Sequence, residues 1–169
     1  MAIRLEHYTH ADAGTIRQTL IDIHAALPET DLRDEFTARF PWFVDHWSSA
    51  PDFTCVIAYD GDEPAGFVYG APLSSGREWW RGHTDPPTAN TSTYGVSELA
   101  VGARWRKTGL SARLHTALLD GRPETLAVLL VDVEHPKVQG VYESWGYKKV
   151  GEHRPFADAP LLAVMLRIP

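Results

Sequence analysis

Glu98-Leu99-Ala100-Val101, followed a few residues on by Arg106-Lys107-Thr108-Gly109-Leu110-Ser111, is the stretch whose reading decides the fold. Tyr94–Val101 has the composition of a strand, and Leu110, Leu114, Ala117 and Leu118 then recur at helical spacing until Asp120-Gly121 and Pro123 close the run. A strand ends, a basic turn follows, and a helix starts at a glycine. The first turn of a helix presents N–H groups without intrahelical partners, and the positive end of the dipole adds to them. A junction of this kind suits a pyrophosphate. Gly109 permits close backbone approach, Ser111 is small, and Arg106 and Lys107 attract anions. The dinucleotide-binding glycine pattern and the P-loop ending in Gly-Lys-Ser/Thr are both missing, so those two nucleotide folds lose most of their support.

Working outward, Ile3, Leu5 and His7 alternate with polar neighbours and predict an opening strand. Thr9 and Asp12 form a capping-box signal, and Ile16, Leu20, Ile23 and Leu27 predict an amphipathic helix ended by Pro28. Phe36, Phe40, Phe43 and Trp47 suggest a second helix, broken or restarted at Pro41. Thr54–Tyr59 and Ala65–Tyr69 flank Asp60-Gly61 as a hairpin. A Gly-, Pro- and Ser-rich segment from about Pro72 to Thr93 carries Trp79-Trp80; a loop of that length is usually functional or mobile. Leu126–Val133 is nearly continuous in apolar residues, as in a strand buried on both faces. Pro136 opens a helix bearing Val138, Val141, Tyr142 and Trp145 and stopped by Gly146, and Tyr147–His153 and Leu161–Ile168 close the order as strands.

The 169 residues are 44% hydrophobic and 22% charged, as expected of one soluble domain over residues 1–169. No run approaches the ~20 apolar residues of a membrane span, and the start lacks a signal-peptide pattern, so the expectation is a cytoplasmic protein with no membrane partner. The single Cys55 lies in an apolar run and reads as a small buried hydrophobe. The net charge of −6 argues against a nucleic-acid partner, but it is unevenly spread. Residues 1–63 hold twelve acids and four bases, a net −8, and the rest of the chain is +2. Arg104, Arg106, Lys107 and Arg113 fall within ten residues without an acid, which suits a compact anionic ligand. No His/Cys spacing suggests a metal.

The strand ending in Leu-Ala-Val and the Arg106-x-x-Gly109-x-Ser111 turn resemble the GNAT superfamily of acyl-CoA-dependent N-acyltransferases, whose pattern is Gln/Arg-x-x-Gly-x-Gly/Ala. Ser111 departs from the usual Gly/Ala, and Ala103 stands where Pro is common; neither change removes a backbone donor. Downstream, His135 through Tyr147 resembles the family's Asn-x-x-Ala-x-x-Leu-Tyr-x-x-x-Gly-Phe/Tyr, with Tyr142, Gly146 and Tyr147 matching, His135 replacing Asn and Val138 replacing Ala. The resemblance implies an α/β fold with a mixed, mostly antiparallel sheet, splayed between its fourth and fifth strands and flanked by helices on both faces. It implies acetyl-CoA (coenzyme A) as acyl donor, held by Leu99, Ala100 and Val101, by the turn Arg106, Lys107, Thr108, Gly109, Leu110 and Ser111, and by His135. By position Tyr142 resembles the family's general acid. Glu98 is the candidate base, with Glu134 and His135 as fallbacks and a structural ion pair as the competing reading of Glu98. The acceptor region of the family corresponds to residues 31–47, where Phe36, Phe40 and Trp42 are candidate substrate contacts among Asp31, Asp34, Glu35 and Asp45, with Phe156 and Asp158 near the end. Acids plus aromatics favour a cationic small-molecule amine as acceptor. The alternatives are a protein N-terminal or lysine acetyltransferase, a longer acyl donor, and a non-catalytic acyl-CoA-binding domain. A homodimer is common in the family.

Overall fold

Thr54–Asp60 and Glu63–Pro72, strands β2 and β3, are joined by a two-residue loop in which Gly61 takes φ +62, the left-handed conformation that tight hairpins require. They belong to a computed structural model that describes residues 2–168. Ahead of them lie β1 (Ile3–Thr9), α1 (Ala13–Ala25), α2 (Glu35–Ala38) and α3 (Phe40–Ser48). After them come β4 (Thr93–Val101), α4 (Leu110–Leu119), β5 (Leu126–Asp132), α5 (Pro136–Ser144), β6 (Tyr147–His153) and β7 (Leu162–Arg167). The strands form one seven-stranded sheet in the order β1-β2-β3-β4-β5-β7-β6. β4 and β5 run parallel, whereas β1–β2, β2–β3, β5–β7 and β6–β7 are antiparallel, so the mixed α/β sheet expected from the sequence is present. Among the described residues the parallel pairing joins Thr93–Val96 to Leu126–Leu129 and goes no further.

Two compact units emerge, one reaching to Ala71 and resuming over Glu98–Arg122, the other comprising Pro72–Ser97 and the chain from Pro123 on. In the first, Cys55, Ile57, Phe67, Tyr69 and Ala100 pack on one face with Ile16, Leu20 and Ile23 of α1 and Phe40 and Val44 of α3. Val56, Ala58 and Val68 alternate with them and are also buried, which explains the unbroken apolar run of β2. Leu110, Leu114 and Leu118 are the buried stripe of α4. Asp12 accepts a hydrogen bond from the Thr9 N–H (2.9 Å), the reach-back half of the expected capping box. Cys55 is buried, and loss of hydration pushes its thiol pKa up, as for an inert core cysteine.

The second helical pattern is corrected in its facing. The chain breaks at Arg39 and restarts with Pro41 in the first turn of α3, so the buried positions become Phe40, Val44 and Ser48. Phe40, expected as a substrate contact, is only 4% exposed and stacks on His24 (3.9 Å). It is a core ring.

In the second unit, Trp80 packs with Leu126, Val128, Val164 and Leu166, and its Nε1–H donates to Thr93 Oγ1 (2.9 Å). Glu78 is buried and takes a forked pair of hydrogen bonds from Arg81 (2.9 Å each) and another from the Gly76 N–H (2.8 Å). The 72–93 segment is thus pinned by its own side chains, and Trp80 is its anchor. α5 starts at Pro136 as expected, but none of its residues is buried, and Val138 and Val141 are exposed. Among the described residues no helix is long and apolar enough to cross a membrane.

Gly66 allows the closest approach in the first unit: a Cβ there would lie 2.6 Å from the Ala100 carbonyl oxygen and 3.2 Å from Val101 Cα. Backbone cannot yield as a side-chain tip can. Gly66→Ala should therefore destabilise the fold by about 1–3 kcal/mol, the usual range for overpacking, read as a lower urea midpoint at unchanged slope. An unchanged midpoint would mean that the two strands separate freely here.

Candidate functional site

The turn after β4 is built by a short series of contacts within the first unit. Gly102 N–H donates to the Ala65 carbonyl (2.8 Å), and a Cβ on Gly102 would meet the Trp105 ring at 2.9 Å. Trp105 is buried in a one-turn 3-10 helix, Ala103–Trp105, and its indole N–H donates to Asp60 (2.9 Å). Arg104 pairs with Glu63 (2.6 Å) and lies over the Trp105 ring. Arg106 folds back, donating from Nε to the Val101 carbonyl (3.1 Å) and from Nη2 to Glu29 (2.7 Å). The Thr108 hydroxyl donates to the Trp105 carbonyl.

Lys107 (φ +62) and Gly109 (φ +83) are both left-handed, and these two reversals bring the chain from the 3-10 turn into α4. A Cβ on Gly109 would meet nothing within 4 Å, so glycine is there for its conformation and leaves the approach to α4 open. Gly109 occupies the N-cap without a side-chain cap, and the Arg113 N–H is the donor that reaches its carbonyl (3.2 Å). By helix geometry the amides of Leu110, Ser111 and Ala112 therefore have no acceptor within α4. Lys107 and Arg113 are exposed cations, and no acid lies between residues 104 and 113. Leu110 is buried and contributes only its backbone, whereas Thr108 is exposed and Ser111 half-buried. This donor set fits the diphosphate of a coenzyme: amides at a helix start, a dipole of the right sign, and two uncommitted cations. Of the expected basic residues, Arg104 and Arg106 are already engaged by carboxylates.

Glu98 is three residues before the end of β4, with Leu99 and Val101 half-buried and Ala100 buried. Strand alternation sets Glu98 on the side of Ala100, which packs into the core beneath α1 and α3. Among the described residues its carboxyl makes no hydrogen bond or ion pair, so the structural ion pair weighed from the sequence is not there. Glu98 retains some solvent contact, yet its carboxyl sits deep enough that loss of hydration pushes its pKa up to about 7.

The residues expected near the acceptor behave unequally. Phe36 and Phe43 are half-buried with rings tilted at 5.5 Å; Trp42 is 54% exposed and stacks on His46 (5.1 Å). The nearby carboxylates have local partners: Asp31 with Arg33 (3.0 Å), Asp45 with Arg17 (2.6 Å), and Asp34 capping α2 at the Thr37 N–H (2.9 Å). Glu29, which the sequence reading passed over, holds Arg106 across 77 positions, and nothing in the local sequence signals it.

In the second unit, Tyr142 is half-buried on α5, with edge-to-face contacts to Trp145 (5.2 Å) and Tyr147 (5.9 Å). His135 is the exposed N-cap of α5, 3.8 Å from the Asp132 carboxylate, and Phe156 and Asp158 are exposed.

The seven-stranded mixed sheet, with a glycine-capped helix following β4, defines an α/β protein. The model of the acetyltransferase (GNAT) family matches residues 17–147, and the chain belongs to that family. Comparison with curated proteins gives no match. Similar solved structures include Arabidopsis thaliana NAA60 in complex with acetyl-CoA (14% identity, TM-score 0.68, covering 99% of this chain and 98% of that one). An aminoglycoside 6'-acetyltransferase type Ii is 22% identical (TM-score 0.65, covering 98% and 96%). The NatC complex bound to Gag peptide and CoA is 16% identical (TM-score 0.64, covering 100% and 99%). At these identities the likeness shows the fold; one of those structures holds a peptide and another is an aminoglycoside acetyltransferase.

Glu98 generates a prediction for stability. Below pH 4.5 its carboxyl is protonated in both folded and unfolded chains; above about 7 the folded protein must carry it ionised in a site that favours the neutral form. Its contribution is therefore present at low pH and lost as pH rises from 4.5 to 7. Glu98→Gln should gain stability over the wild type across that interval, by up to about 3 kcal/mol and less to the extent that solvent reaches the carboxylate. Urea titrations of both proteins at pH 5 and pH 8 check this; a stability difference independent of pH would contradict it.

Proposed function

We propose that this protein transfers an acetyl group from acetyl-CoA to a primary amine by direct attack in a ternary complex. The observation that carries the reading is the Glu98 carboxyl, which among the described residues has no hydrogen-bond or ion-pair partner and whose pKa burial pushes up to about 7, on the strand that leads into the turn before α4. A base of pKa about 7 is ionised in time to take a proton from an ammonium and is not so strong that it fails to release it. Backbone amides of Leu110 and Ser111, with Lys107 and Arg113, hold the donor's phosphates, and main-chain groups of Leu99 and Val101 align its arm. The bound thioester supplies an activated acyl carbon and a thiolate leaving group. Glu98 takes the ammonium proton, directly or through water, so that the nitrogen lone pair can form the new C–N bond. The Tyr142 hydroxyl donates its proton to the departing sulfur as the C–S bond breaks, and the second proton shed by the nitrogen restores the phenol, so that amide, free thiol and one proton on Glu98 result.

The acceptor favoured is a cationic small-molecule amine with an apolar portion. In its support stand the −8 charge of residues 1–63, the exposed Trp42 and the half-buried Phe36. Because Asp31, Asp34 and Asp45 are locally engaged, a high density of free carboxylates is not the basis of selection.

The test is release of coenzyme A thiol from acetyl-CoA against a panel of polyamines, amino acid derivatives, aminoglycosides and peptides. Turnover should be greatest with cationic small molecules, and kcat/KM should rise with pH through about 7. Glu98→Gln should lower kcat about 10²- to 10⁴-fold and remove that rise, the usual worth of a general base. Tyr142→Phe should lower kcat with little change in KM for acetyl-CoA. Tight acetyl-CoA binding without turnover on any amine would favour a binding domain instead, and turnover on peptides alone would overturn the small-molecule acceptor.

A further inference from the structure

Trp105, 6% exposed, is held at the head of the turn by Gly102, on which its ring packs, and by Asp60, whose carboxylate takes its indole N–H at 2.9 Å across 45 positions of sequence. A buried indole N–H without an acceptor is costly, so the carboxylate fixes where the ring sits. Asp60 is itself firmly mounted. It closes β2, in register with Ile3 of β1 and Glu63 of β3. Strand alternation puts it with Val56 and Ala58, opposite the Cys55 and Ile57 face that α1 and α3 cover, and so on the side from which α4 packs on β2. Beside it the ladder is irregular: Ala58 pairs with Gly66 and Tyr59 with Pro64, which leaves Ala65 without a partner on β2. The carbonyl of that bulged residue takes the Gly102 N–H. From Trp105 the contacts run on towards α4. Its carbonyl accepts from the Thr108 hydroxyl, and Thr108 stands between the left-handed Lys107 and Gly109. Asp60 carboxylate, indole N–H, Trp105 carbonyl and Thr108 hydroxyl thus tie the sheet to the reversal. On charge alone an acid on this side of the sheet works against an anionic ligand.

We propose that Asp60 is a positioning residue for the acyl donor: through Trp105 and Thr108 it keeps the 106–111 reversal in the form that leaves the amides of Leu110, Ser111 and Ala112 open to the diphosphate. Asp60 touches neither donor nor amine. Without it Lys107 relaxes towards the backbone conformations an L-residue prefers, and the donor must restore the turn as it binds. Apparent affinity then falls by the fraction of molecules that hold the competent form. This rests on the reading of residues 106–111 as the coenzyme A phosphate site, and it names the residue that sets donor affinity from outside that site.

The experiment compares full-length wild type, Asp60→Asn, Asp60→Ala, Thr108→Val and the variant combining Asp60→Ala with Thr108→Val. Acetyl-CoA affinity is measured by calorimetry, and turnover by thiol release from acetyl-CoA and from S-acetylpantetheine, which has no phosphates. Asp60→Ala should weaken acetyl-CoA binding about ten- to thirtyfold, with KM for acetyl-CoA rising by a similar factor and kcat at saturation unchanged. Asp60→Asn keeps an oxygen acceptor for the indole N–H and loses the charge, so it should bind acetyl-CoA as the wild type does or more tightly. Turnover of S-acetylpantetheine should be the same in every variant, which general damage to the fold would not give. Thr108→Val, at an exposed position, should weaken acetyl-CoA binding about three- to tenfold, and Asp60→Ala should add less in its background than alone. Unchanged or tighter acetyl-CoA binding by Asp60→Ala, the outcome of charge alone, overturns the positioning role; so does an equal loss with both donors. Should Asp60→Ala not fold, full acetyl-CoA affinity in Thr108→Val overturns it instead. A wild type that binds both donors equally overturns the phosphate site, and the role of Asp60 with it.

Discussion

Everything at this site depends on how the chain reverses between the end of β4 and the start of α4. Two left-handed residues, Lys107 and Gly109, make the reversal, and one of them is not glycine. A lysine at positive φ costs on the order of 1 kcal/mol, so surrounding contacts must hold it. They do: Gly102 is fixed to Ala65, Trp105 to Asp60, Arg104 to Glu63 and Arg106 to Val101. Each anchor is on β3, on the β2–β3 hairpin or on β4 itself. The strands therefore set where α4 begins, and the beginning of α4 sets where amides are free to bind an anion.

The same strand carries Glu98, and the two features have opposite electrostatic demands. The α4 start wants a negative ligand, whereas the Glu98 site disfavours its own negative charge through loss of hydration. A carboxyl without a partner is a liability for folding and an asset for proton transfer, which is the usual trade at a site under functional demand. The Arg106–Glu29 pair adds a third element, because a cation of the turn is engaged by a carboxylate from the segment between α1 and α2.

Much of this was legible in the sequence because the signals are local. Ile16, Leu20 and Ile23 at helical spacing, the glycine-containing hairpin and the strand-turn-glycine-helix order each follow from neighbouring residues, and all three elements formed where expected. What failed to be legible involves partners far apart. The aromatic stripe from Phe36 to Trp47 has helical spacing, yet the restart at Pro41 rotates the second half so that Phe40 and Val44 face inward. Phe36 and Phe43 stay half-buried, and only Trp42 is left prominent. The charge count for residues 1–63 was correct as a total but could not show that Asp31, Asp34 and Asp45 are engaged. Nor could it show that Trp80 anchors the 72–93 segment through a hydrogen bond to Thr93, since an anchoring tryptophan and a ligand-facing one have the same local sequence.

The central claim, that the 106–111 turn is a phosphate site for an acyl-CoA, is tested most directly by comparing two donors in calorimetric titrations without any amine. One is acetyl-CoA; the other is S-acetylpantetheine, which keeps the thioester and the arm but lacks every phosphate. The account predicts one-to-one binding of acetyl-CoA, weakened by salt, and an affinity for S-acetylpantetheine lower by at least about a hundredfold, or roughly 2.7 kcal/mol. Equal affinity for the two, or acetyl-CoA binding indifferent to salt, would contradict it.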